Sequence, residues 1–381
     1  MPIHILTIFS LLSFSTLIQA APASEATKEV VEIGIAYGTE KRNWLEWAKN
    51  EFAKTEAGKK ININLFPMGS IKGAKTILDR DKRIHIWAPA NSWVKCFLVQ
   101  SWQQKHEKQP KLYTPANPIF SAMSLVSTPM VIAMWQHHYE AFIEQYPVVN
   151  FKTIAKALSE STGWLAIADK PEWGLFNFAH TQPTESNSGL LALVLMAYDY
   201  AELSGQLELQ HIKSDKFVAW LKDMQDRMLT NETSTNKLME EYMLHLGPAE
   251  LSGVVVYENV ALTYLKSTQA HWHQEIKIIY PRLTILNDNP FYILEVPWTT
   301  PEHQYAAELF QQFLLSKVAQ KQARDGYFFR PEHAQVELMA ADSAFIEFIN
   351  IIKEKDELKF IQQMPDIKIL KQLTRIWEDF Q

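Results

Sequence analysis

VVEIGIAYGTEKRNWLEWAKNEF, residues 30–52, decides the fold class. Its first nine residues are rich in β-branched side chains and end at Gly38, the pattern of a strand running into a turn. Thr39 stands where a helix N-cap is expected. Trp44, Trp47, Ala48 and Phe52 then recur at helical spacing, and Gly58 closes the helix. The same unit returns twice. ININLFPMG (61–69) alternates apolar and polar residues, and Ser70 opens a helix through Ile71, Ala74, Ile77 and Leu78. IHIWAPA (84–90) runs into Asn91 and Ser92, with a helix from about Trp93. Strand, turn and helix in repetition predict an α/β lobe built on a mostly parallel sheet.

Beyond a polar, proline-containing connection at 103–118, STPMVIAMW (127–135) reads as a strand crossing into a second lobe. FKTIAKAL (151–158) predicts a helix, and WGLFNFAHTQPTESNSG (173–189) a strand, a polar loop and a helix start. LLALVLMAYDYAEL (190–203) is apolar on every face and predicts a buried helix. LSGVVVYENVALTYL (251–265) reads as a strand and a helix, and residues 276–286 lead back toward the first lobe. PEHQYAAELFQQFLLS (301–316) places Ala306, Leu309, Phe310, Phe313 and Leu314 on one helical face. A chain of 381 residues exceeds the ~250–300 that one core usually spans. The expected division is 24–128 with 287–381 in lobe one and 129–286 in lobe two, with crossings at about 127–135 and 277–290.

The N-terminus reads as an export signal, residues 1–23. Residues 5–18 are apolar and carry no charge, and Ala20, Ala21 and Ala23 follow as a small-residue cleavage zone. The run is shorter than the ~20 apolar residues of a membrane span, and no other run reaches that length, so no stable membrane insertion is expected. The single Cys96 forms no internal disulfide, which a bacterial periplasm tolerates. Hydrophobic residues at 47% and charged residues at 21% are ordinary for a globular protein. A net charge of -6 without a basic patch argues against nucleic acid as a partner.

Four strand-to-helix junctions share one chemistry. Gly38-Thr39, Gly69-Ser70, Asn91-Ser92 and Ser186-Asn187-Ser188-Gly189 put small or hydroxyl residues where helices begin. Helix N-termini offer unpaired N–H groups and a positive dipole end, and in open α/β sheets ligands sit beyond the carboxyl ends of the strands. The same residues also serve as ordinary caps. Tyr257-Glu258-Asn259 follows the run Val254–Val256 and puts a carboxylate at a strand end, where it can meet a cation or cap the next helix. His137-His138 and His271-His273 lack the three or four spaced ligands of a zinc site and read as surface histidines. No GxSxG, P-loop or GxGxxG occurs, and no nucleophile stands with an evident base, so no cofactor, metal or catalytic residue is expected.

Read in order, certain segments resemble the bacterial extracellular solute-binding proteins of the molybdate-type family. They are Trp87-Ala88-Pro89-Ala90 with Ser92-Trp93, Trp173-Gly174-Leu175-Phe176, His180-Thr181-Gln182-Pro183-Thr184-Glu185-Ser186-Asn187-Ser188-Gly189-Leu190, Tyr257-Glu258-Asn259, Ile279-Tyr280-Pro281, Pro297-Trp298 and Phe313-Leu314-Leu315-Ser316. More narrowly, the chain is similar to the branch of substrate-binding domains related to von Willebrand A-containing proteins. The resemblance implies a two-lobed type II periplasmic-binding fold with two crossing strands and a cleft between the lobes. It implies a monomeric periplasmic receptor for a small polar ligand, partnered by an ABC-transporter permease. An envelope sensor with the same clamshell, or an enzyme on the same fold, are the other readings. Ligand contacts would fall on Thr39, Ser70, Ser92, Thr181, Ser186, Asn187, Ser188, Tyr257 and Glu258. Two departures, Arg83-Ile84-His85-Ile86 before Trp87 and Gly69-Ser70-Ile71 in place of Gly-Ser-Gly, keep the ligand's identity from being carried over.

Overall fold

The computed structural model describes residues 30–229, 231–268 and 276–380. The export segment 1–23 and the pair His271 and His273 lie outside them. Twelve strands are described, and the first five carry the chain through lobe one and across the hinge: β1 (Val31–Tyr37), β2 (Ile61–Pro67), β3 (Ile86–Ala88), β4 (Ile119–Ser124) and β5 (Val126–Trp135). The others are β6 (Phe178–Ala179), β7 (Met228–Leu229), β8 (Gly253–Tyr257), β9 (Ile276–Ile279), β10 (Leu286–Asn287), β11 (Pro290–Leu294) and β12 (Arg330–Pro331).

Two sheets form two lobes. The first has the order β2-β1-β3-β11-β4 and the second β10-β5-β8-β6-β7, with β9 and β12 also on β5. In the first, β1 pairs parallel with β2 and β3, as the repeated strand–turn–helix units require. The sheet is nevertheless mixed, because β11 runs antiparallel to both β3 and β4. The reason is topological: β4 leaves for the second lobe and β11 returns from it, so the two lie side by side in opposite directions. Ile33, Ile35 and Tyr37 of β1 face one core with Trp44, Phe52 and Phe310, while Ala36 faces the other with Ile71, Ala74 and Trp87. That is the two-residue period of a strand covered on both sides.

All ten residues of β5 are buried, because β8, β9, β10 and β12 all pair with it. From Pro129 on, the run therefore reads as continuously apolar rather than alternating. The crossing between lobes falls at Leu125, whose N–H bonds the Asn289 carbonyl beside it. The expected polar loop before Asn187 is present, but the strand preceding it is only Phe178–Ala179, since Pro171–Trp173 form a 3-10 turn.

Two expectations change. Residues 287–381 do not all stay with lobe one. Helices Pro301–Leu315 and Lys317–Tyr327 pack on the first sheet and its helix Arg42–Phe52, but helix Ile367–Glu378 packs on Asn187–Tyr200, Leu209–Ile212 and Asp215–Gln225 of lobe two. The strongly two-faced 367–378 segment needs an apolar partner, and the apolar 187–200 helix supplies it. The chain thus makes a third passage between lobes at 328–331, where β12 joins β5.

His138 is the second. It is fully buried, stacked on Trp164 at 4.3 Å between ring centroids, and beside Trp173. Burial, then the neighbouring His137, push its pKa down from 6.5 to about 3. The unfolded chain takes up that proton near pH 6.5 while the folded one refuses it until about 3. Its contribution is therefore intact above that unfolded value and is lost as pH falls toward the folded one. His138→Phe should keep the stack and flatten acid unfolding in that window by about 1.4 kcal/mol per pH unit. Urea midpoints measured at steps of pH check this, and an unchanged slope refutes it.

Candidate functional site

The polar loop 180–186 delivers the chain into helix Asn187–Tyr200, whose N-cap residue is Ser186. Gly189 is required there: a Cβ would come within 2.0 Å of the Thr181 carbonyl oxygen, so only glycine lets the helix settle on its own loop. The close approach gathers hydroxyls. Thr181 Oγ1 lies 2.9 Å from Ser186 Oγ and 2.6 Å from Ser188 Oγ, and Ser188 Oγ lies 3.0 Å from Thr235 Oγ1. All four residues are buried.

Tyr257, at the carboxyl end of β8, adjoins this cluster. Asn187 Nδ2 donates to its hydroxyl at 2.9 Å and to Asn287 Oδ1 at 3.2 Å. Burial, then the charge of Glu40, hold the Tyr257 phenol well above its ordinary pKa, so it stays protonated. Asn287 belongs to the returning strand. Its Nδ2 donates to the Thr128 carbonyl, which leaves Oδ1 to accept from Asn187 of lobe two and Asn91 of lobe one at 3.1 Å.

The lobes meet directly around this layer. Ser234 Oγ donates to Thr39 Oγ1 at 3.0 Å, and Asn236 Nδ2 to the Thr39 carbonyl at 2.9 Å. The N–H groups of Ile71 and Lys72, at the start of helix Ser70–Leu78, donate to the Glu185 carbonyl of the opposite lobe at 3.1 and 3.2 Å. Lys72 also pairs with the Glu185 carboxylate at 3.4 Å.

Of the residues singled out in the sequence, Thr181, Ser186, Asn187, Ser188 and Tyr257 come together in lobe two, and Thr39 reaches their neighbours from lobe one. Thr39 is not the helix cap: Gly38 precedes a 3-10 turn over Thr39–Lys41, and the helix proper starts at Arg42. Its hydroxyl is thereby left to meet Ser234. Ser70 Oγ accepts from the Ala90 N–H at 3.0 Å within its own lobe. The Ser92 N–H donates to Asp288 Oδ1 at 2.8 Å, so a carboxylate of the chain itself fills that helix start. Both Glu258 oxygens are engaged by Arg330, each at 2.7 Å, and the Tyr280 hydroxyl donates to the same carboxylate. Burial and that carboxylate push the Tyr280 phenol far up. Glu258 thus ties β8 to the segment entering from lobe one.

Sequence reasoning passed over Glu40 and Lys41. Lys41 is fully buried, with Nζ held by Glu40, the Pro89 carbonyl at 3.2 Å and Asn289 Oδ1 at 2.9 Å. Burial pushes its pKa down while Glu40 acts against that. Adjacent opposite charges at a helix start look like a solvated pair. The signal that could have found them is Asn287-Asp288-Asn289, a polar run that interrupts the otherwise apolar return segment between β10 and β11. Among the described residues no group of three or more His, Cys, Asp or Glu is arranged to hold a metal ion, and no helix is long and apolar enough to cross a membrane.

Comparisons agree with this architecture. No curated protein is similar to the chain in sequence. Solved structures share the fold at low identity. A ferric binding protein from Campylobacter jejuni superposes with a TM-score of 0.59 at 16% identity, covering 91% of this chain and 99% of that one. A periplasmic thiamin binding protein gives 0.60 at 10%, covering 92% and 96%. The sulfate-binding protein SubI from Mycobacterium tuberculosis gives 0.55 at 12%, covering 88% and 96%. A sequence profile described as bacterial extracellular solute-binding protein matches residues 33–329. Two lobes joined through the β4–β5 and β10–β11 segments, with a buried polar layer where they meet and this profile over most of the chain, make it a member of the bacterial extracellular solute-binding protein family, with the type II periplasmic-binding fold.

Proposed function

We propose that the chain is a periplasmic receptor that closes around a small polar ligand and hands it to an ABC-transporter permease. The observation carrying this reading is the buried layer between the lobes, to which Thr39, Asn91 and the Ser70 helix contribute from one side and Asn187, Ser234 and Asn236 from the other. A ligand seated there gains contacts from both lobes only when they are closed, so binding shifts the hinge equilibrium. Thr181, Ser186, Asn187, Ser188, Tyr257 and Thr39 are its proposed contacts. Ser70 and Ser92 mark the lobe-one helix starts that face it, and Glu258 holds its wall in place. The protein acts as a monomer, without catalysis, after export and cleavage near Ala20–Ala23. N-terminal sequencing of mature periplasmic protein checks the cleavage, and an intact Met1 refutes it. Three similar folds carry the names of sulfate, ferric and thiamin binding proteins, so the fold leaves ligand charge open.

A thermal-shift screen of oxyanions, amines, amino acids, sugars and divalent metals identifies a ligand, and Trp fluorescence then measures affinity. Ser188→Ala removes a hydroxyl worth about 0.5–3 kcal/mol to the ligand. Affinity should fall by up to about a hundredfold, while the free protein loses about 1–3 kcal/mol because Thr181 and Thr235 lose a buried partner. Parent-like affinity in this variant moves the site elsewhere.

A further inference from the structure

Beside the hydroxyl cluster, a small cavity opens between the lobes. Glu40, Asn43 and Tyr327 line it from lobe one, and Asn236, Asn259 and Tyr264 from lobe two. Its hydrogen-bonding character is settled by its neighbours. Asn236 Nδ2 donates to the Thr39 carbonyl at 2.9 Å and Asn259 Nδ2 to the Glu40 carbonyl at 3.5 Å. A backbone carbonyl only accepts, so each amide must present its NH2 there and its oxygen on the other side. Asn259 is 2% exposed, and its Oδ1 has no hydrogen-bond partner. Deeper in the same layer, Asn187 is turned the same way by the Tyr257 hydroxyl and Asn287, and its Oδ1 is also unpartnered. Buried acceptors left without donors are costly, and here two occur in one interlobe layer.

The charges point in one direction as well. The Lys41 ammonium spends its three donors on Glu40, Pro89 and Asn289, none of them a ligand. The Glu40 carboxylate is felt at both Tyr257 and Tyr37. Tyr264 donates to Glu240 at 3.1 Å and feels Glu241, with only exposed Arg42 opposing. Lys41 balances Glu40, so an oxyanion brought here would meet chiefly the unpartnered Asn acceptors, which offer it no donor, and the Glu240 and Glu241 carboxylates. An ammonium group supplies up to three N–H donors and a positive charge, which both features require.

Building on the receptor reading, we infer that this cleft selects a ligand bearing a primary ammonium group, seated against Glu40, Asn236 and Asn259. Calorimetric titration with methylammonium, ethanolammonium and 1,4-diaminobutane tests it, beside sulfate, molybdate, potassium and tetramethylammonium. The expected result is saturable binding of at least one primary ammonium and none of the four others, since tetramethylammonium has charge without N–H. Asn236→Leu and Asn259→Leu should each weaken binding about tenfold or more. Binding of sulfate or molybdate in place of the amines overturns the ammonium assignment and leaves the closing receptor intact. Potassium or tetramethylammonium binding as tight as the amines also overturns it, because N–H donors would then be irrelevant. If no probe of any class, in this set or the wider screen, closes the lobes, both readings fall.

Discussion

Gly69→Ala should abolish tight ligand binding while leaving each lobe folded. Gly69 precedes the Ser70 helix of lobe one with φ −57, which any residue accepts, so the variant stores no strain within its own lobe. A Cβ at that position would lie 2.3 Å from the Glu185 carbonyl oxygen of lobe two. That oxygen accepts from both Ile71 and Lys72 in the closed arrangement, and it is backbone, so no rotamer change relieves the clash. The lobes must part, and the two hydrogen bonds go with them. If binding depends on closure, affinity should drop by about a hundredfold or more, the equivalent of roughly 3 kcal/mol withdrawn from the closed state. Small-angle scattering with saturating ligand should keep the radius of gyration of the open form, while circular dichroism and the thermal transition of the free protein stay near those of the parent. Parent-like compaction with ligand would mean that the closed arrangement tolerates the methyl group and that Gly69 is not the point of contact that limits closure.

Arg330→Ala should cost about 3–5 kcal/mol of stability, because it strands a buried carboxylate. Arg330 is 4% and Glu258 0% exposed; two 2.7 Å bonds join them, and a further bond runs from Arg330 to the Lys353 carbonyl. Chemical denaturation measures the loss. Arg330→Ala with Glu258→Gln should recover part of it, since a neutral amide is far cheaper to bury than an unpaired charge. The same pair separates structure from binding. Were Glu258 a ligand contact rather than an anchor, the double variant would regain stability yet bind nothing. Were it only an anchor, stability and binding would return together. A loss below 1 kcal/mol in Arg330→Ala would remove the anchor role.

The parts of this architecture written in local sequence were legible. Each lobe-one unit declares itself through a strand rich in Ile and Val, a small residue and a helical stripe, all within about thirty residues. The loop 180–189 announces its helix by Ser186-Asn187-Ser188-Gly189, and all five lobe-two hydroxyl, amide and phenol positions chosen from sequence meet around it. What escaped is set by distance along the chain. Nothing near Glu258 says that its partner stands 72 positions on. Nothing in Gln136-His137-His138 distinguishes a solvated imidazole from one stacked under Trp164. Glu40 and Lys41 misled for the same reason. Lys41 is held by Pro89 and by Asn289, which stands 248 positions on, so nothing local to the pair says that its charges are buried. The helix 367–378 went to lobe one in the sequence reading because the face it covers belongs to residues laid down much earlier in the chain.

That last contact governs how the protein can be made. Helix Asn187–Tyr200 is apolar almost all round, and one of its covers is helix Ile367–Glu378. A chain that emerges N-terminus first, from a ribosome or through a secretion pore, therefore shows a sticky rod to its surroundings until residues 367–378 follow. On the export reading proposed above, this late seal is an advantage: lobe two completes its apolar cover only once residues 367–378 have arrived on the side where it will work.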